Sequence, residues 1–229
     1  MNLSAITPNS KKALFLAKKQ LSELVYDAVN LEGVNYTLPE VQTLLDGVTV
    51  GGHRQTDELI TQNQIKAWKF LFAVIEKQDF DLSAEFVCQM QAKAAQQEAL
   101  TWGEFRGGGV SIAGTDYLPP EHTKLTHLWQ VLTQKPAPND IDGIYQYAIS
   151  LFLQMARHQF FYDGNKRTGR LMMNGVLLSN GLPVINLPAS QQLQFNQLML
   201  DFYPSNDEVP MQVFMRSCLN ANHLKIMAE

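Results

Sequence analysis

Apolar side chains recur every three or four residues over most of the chain, which is the spacing of helices with one buried face. The pattern predicts such helices at residues 10–29, 57–77, 82–98, 121–134, 143–157, about 190–203 and 207–221. A shorter helix is expected after Thr37, because Thr37 and Glu40 form a capping box. Another runs from the polar residues near Gly164 to Gly181, a good residue for a helix end.

Residues 102–120 interrupt this pattern. The segment is rich in glycine, contains β-branched residues and ends in Pro119-Pro120. These features favour a short β-hairpin, or flap, over a helix. The sequence therefore predicts an all-α fold of about eight helices with one small β-hairpin flap.

Composition and charge limit the kinds of protein that this chain can be. The 229 residues are 45% hydrophobic and 17% charged, as in an ordinary globular protein. The net charge of −4 argues against a general nucleic-acid binder. Cys88 and Cys218 lie in apolar helical patterns and are expected to be buried, reduced thiols. With no apolar run of membrane-spanning length and no signal-peptide pattern, we expect a cytoplasmic protein without a membrane partner; self-association is left open.

The residues 158–170 contain the densest set of phosphate-binding residue types in the chain. They join the end of one predicted helix to the start of the next, where free N–H groups and a partial positive charge attract anions. Gly164 lets the backbone approach a ligand closely, and Asn165 can donate to a phosphate oxygen. Arg167 and Arg170, three residues apart, share a helix face. This pattern favours a phosphate site.

Asp163 is the one acid in this basic segment. Beside phosphate groups an aspartate of this kind is typical of a Mg²⁺ ligand, often acting through water. The alternative for the whole segment is a capped helix with solvated arginines. The residue types alone leave both interpretations open.

The 158–170 segment resembles the signature of the Fic/Fido family, His-x-Phe-x-Asp/Glu-Gly-Asn-Gly/Lys-Arg-x-x-Arg. Most known members move AMP from ATP to a hydroxyl group of a target protein. The resemblance implies ATP and Mg²⁺ as cofactors, with Asp163 holding the metal. It also implies that Gly164 and Asn165 contact the α and β phosphates, and that Arg167 and Arg170 hold the β and γ phosphates.

One position departs from the family pattern. The family places its catalytic His four residues before the acid, and here that residue is Gln159, with Phe161 at the Phe position. The alternative is a loop longer by one residue, with His158 as the base and Phe160 as the anchoring Phe. Transfer requires a group that takes the hydroxyl proton, which His can do and Gln cannot. A working transferase using His158 and a catalytically silent nucleotide- or phosphate-binding protein therefore both stay open.

Lys166 stands where many members have Gly. A Lys at this position also occurs in Doc toxins, which resemble the family and act as kinases. The resemblance places Lys166 among the nucleotide-binding residues and adds a minor alternative, a Doc-like phosphotransferase.

Glu32-Gly33 resembles a second family motif, Ser/Thr-x-x-x-Glu-Gly/Asn, found on an autoinhibitory helix. Ala28 stands at the Ser/Thr position, so the match is partial. The resemblance implies that Glu32 pairs with Arg170 and displaces the γ phosphate; the alternative is a solvated acid at a helix end. It also implies an N-terminal helical extension at residues 1–56, carrying the inhibitory helix, and a Fic-like core domain at 57–229.

The predicted flap resembles the family too. Gly103, Phe105 and Arg106 form its Gly-x-Phe-Arg element, and Pro119-Pro120 begins the next helix. In the family the flap lines the active site, and a target protein binds by adding a strand to it. The residues implied to dock the target backbone are Val110, Ser111 and Ile112.

Overall fold

The structure of the protein is a computed structural model that describes residues 3–134 and 138–229. Over these ranges it is built from helices, with short 3₁₀ turns at Leu3–Ala5, His122–Lys124 and Ala189–Gln191. The predicted all-α class is confirmed. The α-helices are α1 (Ser10–Lys19), α2 (Leu21–Asn30), α3 (Leu38–Leu45), α4 (Gln55–Lys77), α5 (Ala84–Ala94), α6 (Leu125–Thr133), α7 (Ile141–His158), α8 (Asn165–Ser179), α9 (Gln192–Ser205), α10 (Val209–Ser217) and α11 (Ala221–Ala228).

The number of helices exceeds the prediction because one predicted helix is divided in two and a further helix follows the last predicted one. The segment 10–29 is interrupted at Gln20, whose backbone angles are φ −93° and ψ 5°. The C-terminal segment 207–221 ends early, at Ser217, and α11 follows after Asn220, whose side chain accepts from the first N–H groups of that helix. By contrast, the capping box of Thr37 and Glu40 is confirmed at the start of α3.

Helix α8 lies at the centre of the fold. Every residue of α8 from Asn165 to Leu178 is buried, except Lys166. The helix packs most extensively against α7. At Gly169 a Cβ atom would lie 3.1 Å from the ring of Phe152, so glycine permits the close approach of the two helices. Since α8 is buried along its length, contacts with the core fix the position of its N-terminus.

The predicted β-hairpin in residues 102–120 does not form, and that part of the prediction is wrong. The segment consists of bends, a turn and irregular backbone without paired strands, and the one β-bridge among the described residues joins Ile185 to Leu219. Three consecutive glycines, Gly107 to Gly109, provide no side chains for cross-strand packing. Instead, Arg106 holds the segment, donating to the carbonyl oxygens of Gly108 and Pro120. We keep the name flap for residues 102–120.

Candidate functional site

The turn between α7 and α8 is closed by the side chain of Asn165. Its Oδ1 accepts from the N–H of Phe161 at 2.9 Å, and its Nδ2 donates to the carbonyl oxygen of Phe161 at 2.7 Å and to Oε1 of Gln159 at 3.0 Å. Gln159 adopts left-handed backbone angles, φ 50° and ψ 65°, which end α7. Asn165 thus serves the shape of the turn, and both of its amide hydrogens already have acceptors.

The N-terminus of α8 is the anion-attracting element of the site. Gly164 precedes it with φ 75°, and a Cβ atom there would lie 2.6 Å from the Cβ of Ala95, so the position requires glycine. No side chain caps this end of the helix. Its first N–H groups therefore have no intrahelical acceptor and carry the positive end of the helix dipole.

The two residues that could face the attacking hydroxyl, His158 and Gln159, are placed differently. The ring of His158 lies edge-on to Phe160, with 5.7 Å between ring centroids, and its Nδ1 is buried with no hydrogen-bond partner among the described residues. Burial, followed by the nearby charge of Arg157, lowers the pKa of His158 to about 4. The side chain that faces Asn165 is that of Gln159, which also donates to the carbonyl of Ala156 at 2.6 Å. The structure brings Gln159, and not His158, to the start of α8.

Glu32, two residues after the end of α2, lies against α8. Its Oε1 is 3.0 Å from Nη2 of Arg170, and its Oε2 is 3.4 Å from Nζ of Lys166. Burial acts to raise the pKa of Glu32, but the charges of Lys166, Arg170 and Arg167 outweigh it and hold the pKa below its usual range. The carboxylate is therefore ionised at neutral pH and is already bound by two cationic side chains of the 158–170 segment.

Arg167 has different partners. Its Nη2 is 2.6 Å from Oε2 of Glu98 and 3.3 Å from Oδ1 of Asp163, and its Nη1 donates to the carbonyl of Ala94 at 3.1 Å. Its side chain is 4% exposed. Burial acts to lower the pKa of Arg167, but Glu98 and the other acids raise it above the usual value. The two arginines of the segment thus face different carboxylates.

Asp163 is the residue best placed to hold a metal. Its side chain is 54% exposed, and its Oδ1 accepts from the N–H of Gly164. No group of three or more His, Cys, Asp or Glu side chains suited to a metal occurs within residues 3–134 and 138–229. One exposed carboxylate fits Mg²⁺ only if phosphate oxygens and water complete its coordination, which is how Mg²⁺ binds with nucleotides.

The sequence analysis did not predict the residues that hold the turn between α7 and α8 through hydrogen bonds to its carbonyl oxygens. Arg106, 2% exposed, donates through Nε to the carbonyl of Gln159 at 2.6 Å, and its backbone N–H donates to the carbonyl of Phe160 at 2.9 Å. Gln91 donates to the carbonyl of Asp163 at 3.1 Å. The family motif contains Arg106 but gives it no role. No motif in the neighbouring sequence marks Gln91 or Glu98 as a site residue, because their partners are distant in sequence.

The predicted docking residues of the flap are accessible. Ser111 is exposed, and Val110 and Ile112 are partly buried. Their backbone groups make no hydrogen bond with other residues of the described ranges. The segment 110–112 is therefore irregular backbone whose donors and acceptors have no partner among the described residues.

Comparisons with known proteins find chains that are similar to this one. Residues 81–177 match the model of the Fic/DOC family. Proteins named protein adenylyltransferase Fic, from Drosophila erecta and Drosophila melanogaster, are 26% identical over 224 residues. The match covers 94% of this chain and 44% of theirs, so the chain spans less than half the length of these relatives.

Solved structures share the fold. A Fic domain containing signaling protein from Bacteroides thetaiotaomicron VPI-5482 superposes with a TM-score of 0.77 at 18% identity, covering 98% of this chain and 91% of that one. Fic-1 (aa134–508) from C. elegans gives a TM-score of 0.74 at 16% identity, covering 95% and 70%. No described helix has the length and apolarity needed to cross a membrane.

Proposed function

Because this chain belongs to the Fic/DOC family, we propose that it binds ATP at the N-terminus of α8 and transfers AMP to a hydroxyl group of a target protein. We further propose that Glu32 represses this activity. The observation that carries the proposal is the carboxylate of Glu32 bound to Arg170 and Lys166 beside an uncapped helix N-terminus. A site that binds a carboxylate in this way has the charge to bind a phosphate group in its place.

Repression follows from competition for the same cations. A triphosphate at this helix end requires the guanidinium of Arg170, which the carboxylate of Glu32 occupies at 3.0 Å. The side chain of Glu32 is 20% exposed and lies just beyond α2, so it can move into solvent when phosphate replaces it. Inhibition is then relieved by any change that removes the carboxylate or shifts the end of α2.

Transfer requires that the target hydroxyl attacks the α phosphorus while the bond to the bridging oxygen of pyrophosphate breaks. Mg²⁺, held by Asp163 together with phosphate oxygens, would neutralise charge on the triphosphate. The N–H groups of α8 stabilise charge on the phosphate oxygens. A target segment pairing with the flap at residues 110–112 would bring its hydroxyl to the site.

The hydroxyl proton also needs an acceptor, and here the geometry favours a second candidate function. Gln159 can orient a hydroxyl through Oε1 but cannot take its proton, and the ring of His158 faces Phe160. The second candidate is therefore a nucleotide-binding protein that does not transfer AMP and acts through partner contacts at the flap. A Doc-like phosphotransferase using Lys166 is the minor alternative.

The test uses Glu32→Gly protein with Mg²⁺ and ATP labelled on the α phosphate, incubated with a cell lysate. His158→Ala and Gln159→Ala versions run beside it, and a parallel reaction contains ATP labelled on the γ phosphate. Label from the α phosphate on a protein supports the transferase, and its loss with His158→Ala would identify His158 as the base. Tight ATP binding without label supports the silent binder, and label from the γ phosphate alone supports the phosphotransferase.

A further inference from the structure

We infer that Gln192, the first residue of α9, is a positioning residue for autoinhibition, because its side chain holds the backbone that presents Glu32 to Arg170. This inference rests on the proposed function and names what keeps the inhibitory carboxylate in place.

The end of α2 has carbonyl groups that the helix itself cannot satisfy. Nε2 of Gln192 donates to two of them, the carbonyl of Asn30 at 3.0 Å and the carbonyl of Leu31 at 3.3 Å. The second carbonyl belongs to the peptide bond that joins Leu31 to Glu32. Gln192 therefore restrains the peptide group from which the side chain of Glu32 leaves toward Arg170.

Asp27 makes a second contact between α2 and the segment before α9. Its Oδ1 accepts from the N–H of Ala189 at 2.8 Å, and its Oδ2 accepts from Nδ2 of Asn186. Asp27 precedes Asn30 and Leu31 by three and four residues, so the three residues share one face of α2. Two contacts one turn apart thus attach the end of α2 to this segment.

The segment before α9 is itself attached to α8. Asn174, 1% exposed, accepts through Oδ1 from the N–H of Ile185 at 2.9 Å and donates through Nδ2 to the carbonyl of Ile185 at 3.1 Å. Asn174 follows Arg170 by four residues and lies on the same face of α8. The contacts therefore lead from α8 through the segment to α2, and return to α8 at the pair of Glu32 and Arg170.

Release of Glu32 can occur with or without movement of the end of α2. A contact shifts an equilibrium only if it differs between the two states, so Gln192 affects inhibition only if its hydrogen bonds are lost on release. Rotation of the Glu32 side chain alone would leave the carboxylate beside the triphosphate, and like charges at short range repel. Movement of the end of α2 separates the charges and breaks the hydrogen bonds of Gln192, which then stabilise the inhibited state alone.

The test is calorimetric titration with ATP and Mg²⁺ of the wild type, Gln192→Leu, Glu32→Gln and the double variant. Gln192→Leu removes the donor and keeps the approximate size of the side chain. In protein that retains Glu32, it should raise ATP affinity about three- to tenfold, as expected for hydrogen bonds between neutral groups. In the Glu32→Gln background it should change ATP affinity less than about twofold. Equal effects in both backgrounds, or no effect in either, would overturn the inference.

Gln197→Leu is the matched control, because Gln197 lies on the same helix but donates within it, to Oδ1 of Asp201 at 3.0 Å. The control should bind ATP as the wild type does. An increase in ATP affinity equal to that of Gln192→Leu would show that the effect does not come from the contact with α2, and would also overturn the inference.

Chemical denaturation tests the link between Gln192 and Glu32 independently of nucleotide. If Gln192 positions Glu32 on Arg170, Glu32→Gln should change the denaturation midpoint by a smaller amount in Gln192→Leu protein than in the wild type. Equal changes would show that the two residues act independently, and the inference would be wrong whatever ATP does. If Glu32→Gln protein binds no ATP, the proposed function fails, and this comparison alone decides whether Gln192 positions Glu32.

Discussion

Replacing the carboxylate of Glu32 by an amide should strengthen ATP binding, because Glu32→Gln keeps the shape of the side chain and removes its charge. The carboxylate is 3.0 Å from Arg170 and 3.4 Å from Lys166. A hydrogen bond between charged groups contributes about 1.5–3 kcal/mol. We count the contact with Arg170 alone, because Lys166 is 30% exposed and its pairing is weakened by solvent. Removing that competition should raise ATP affinity about 10- to 100-fold.

The assay is calorimetric titration of wild-type and Glu32→Gln protein with ATP in the presence of Mg²⁺. Glu76→Gln is the matched control, since Glu76 also pairs with a lysine, Lys18, but lies on the surface with 54% of its side chain exposed. The control should bind ATP as the wild type does. Equal ATP affinities for Glu32→Gln and wild type would refute the competition, even if the contact with Arg170 exists.

Three further predictions concern single residues of the site. Burial lowers the pKa of His158 from 6.5 to about 4, so the neutral ring contributes to stability above pH 6.5 and this contribution is lost as the pH falls toward 4. The free energy of unfolding of His158→Leu, measured by chemical denaturation, should therefore depend less on pH between 6.5 and 4 than that of the wild type. Lys166→Gly should lower ATP affinity about two- to fivefold, because the ammonium group that holds Glu32 would also hold the phosphate that replaces it; an unchanged affinity in calorimetry would contradict this. Gly164→Ala should lower the free energy of unfolding by about 1–3 kcal/mol, because the residue has φ 75° and its Cβ would meet Ala95 at 2.6 Å; an unchanged denaturation midpoint would contradict this.

Features of the fold with a local cause could be predicted from the sequence. Thr37 and Glu40 satisfy each other's backbone groups within one turn, so the start of α3 is encoded in four residues. Gly164 ends the turn before α8 with a left-handed backbone angle, φ 75°, which glycine adopts readily. The predicted hairpin failed partly for a non-local reason, since the guanidinium of Arg106 donates to the carbonyl oxygens of Pro120 and Gln159, which are distant in sequence.

In the candidate site, too, some features could be predicted from local sequence and others depend on distant residues. The residue types of the 158–170 segment predict a phosphate site, but they do not reveal which carboxylate each arginine faces. That depends on Glu98, which meets Arg167 only after α5 and α8 have packed together. Likewise, spacing alone left both His158 and Gln159 as candidates, and the left-handed angle at Gln159 turns its side chain toward Asn165. Contacts between residues distant in sequence thus decide which carboxylate each arginine faces.

The most direct test of the account is the rate of AMP transfer in Glu32→Gly protein with and without Gln159→His, measured with ATP labelled on the α phosphate. If residue 159 faces the attacking hydroxyl, a base at this position should raise the transfer rate about 10²- to 10⁴-fold. His158→Ala should then leave that increased rate in place. An unchanged or lower rate with Gln159→His, combined with loss of transfer in His158→Ala, would contradict the account and show that His158 is the base.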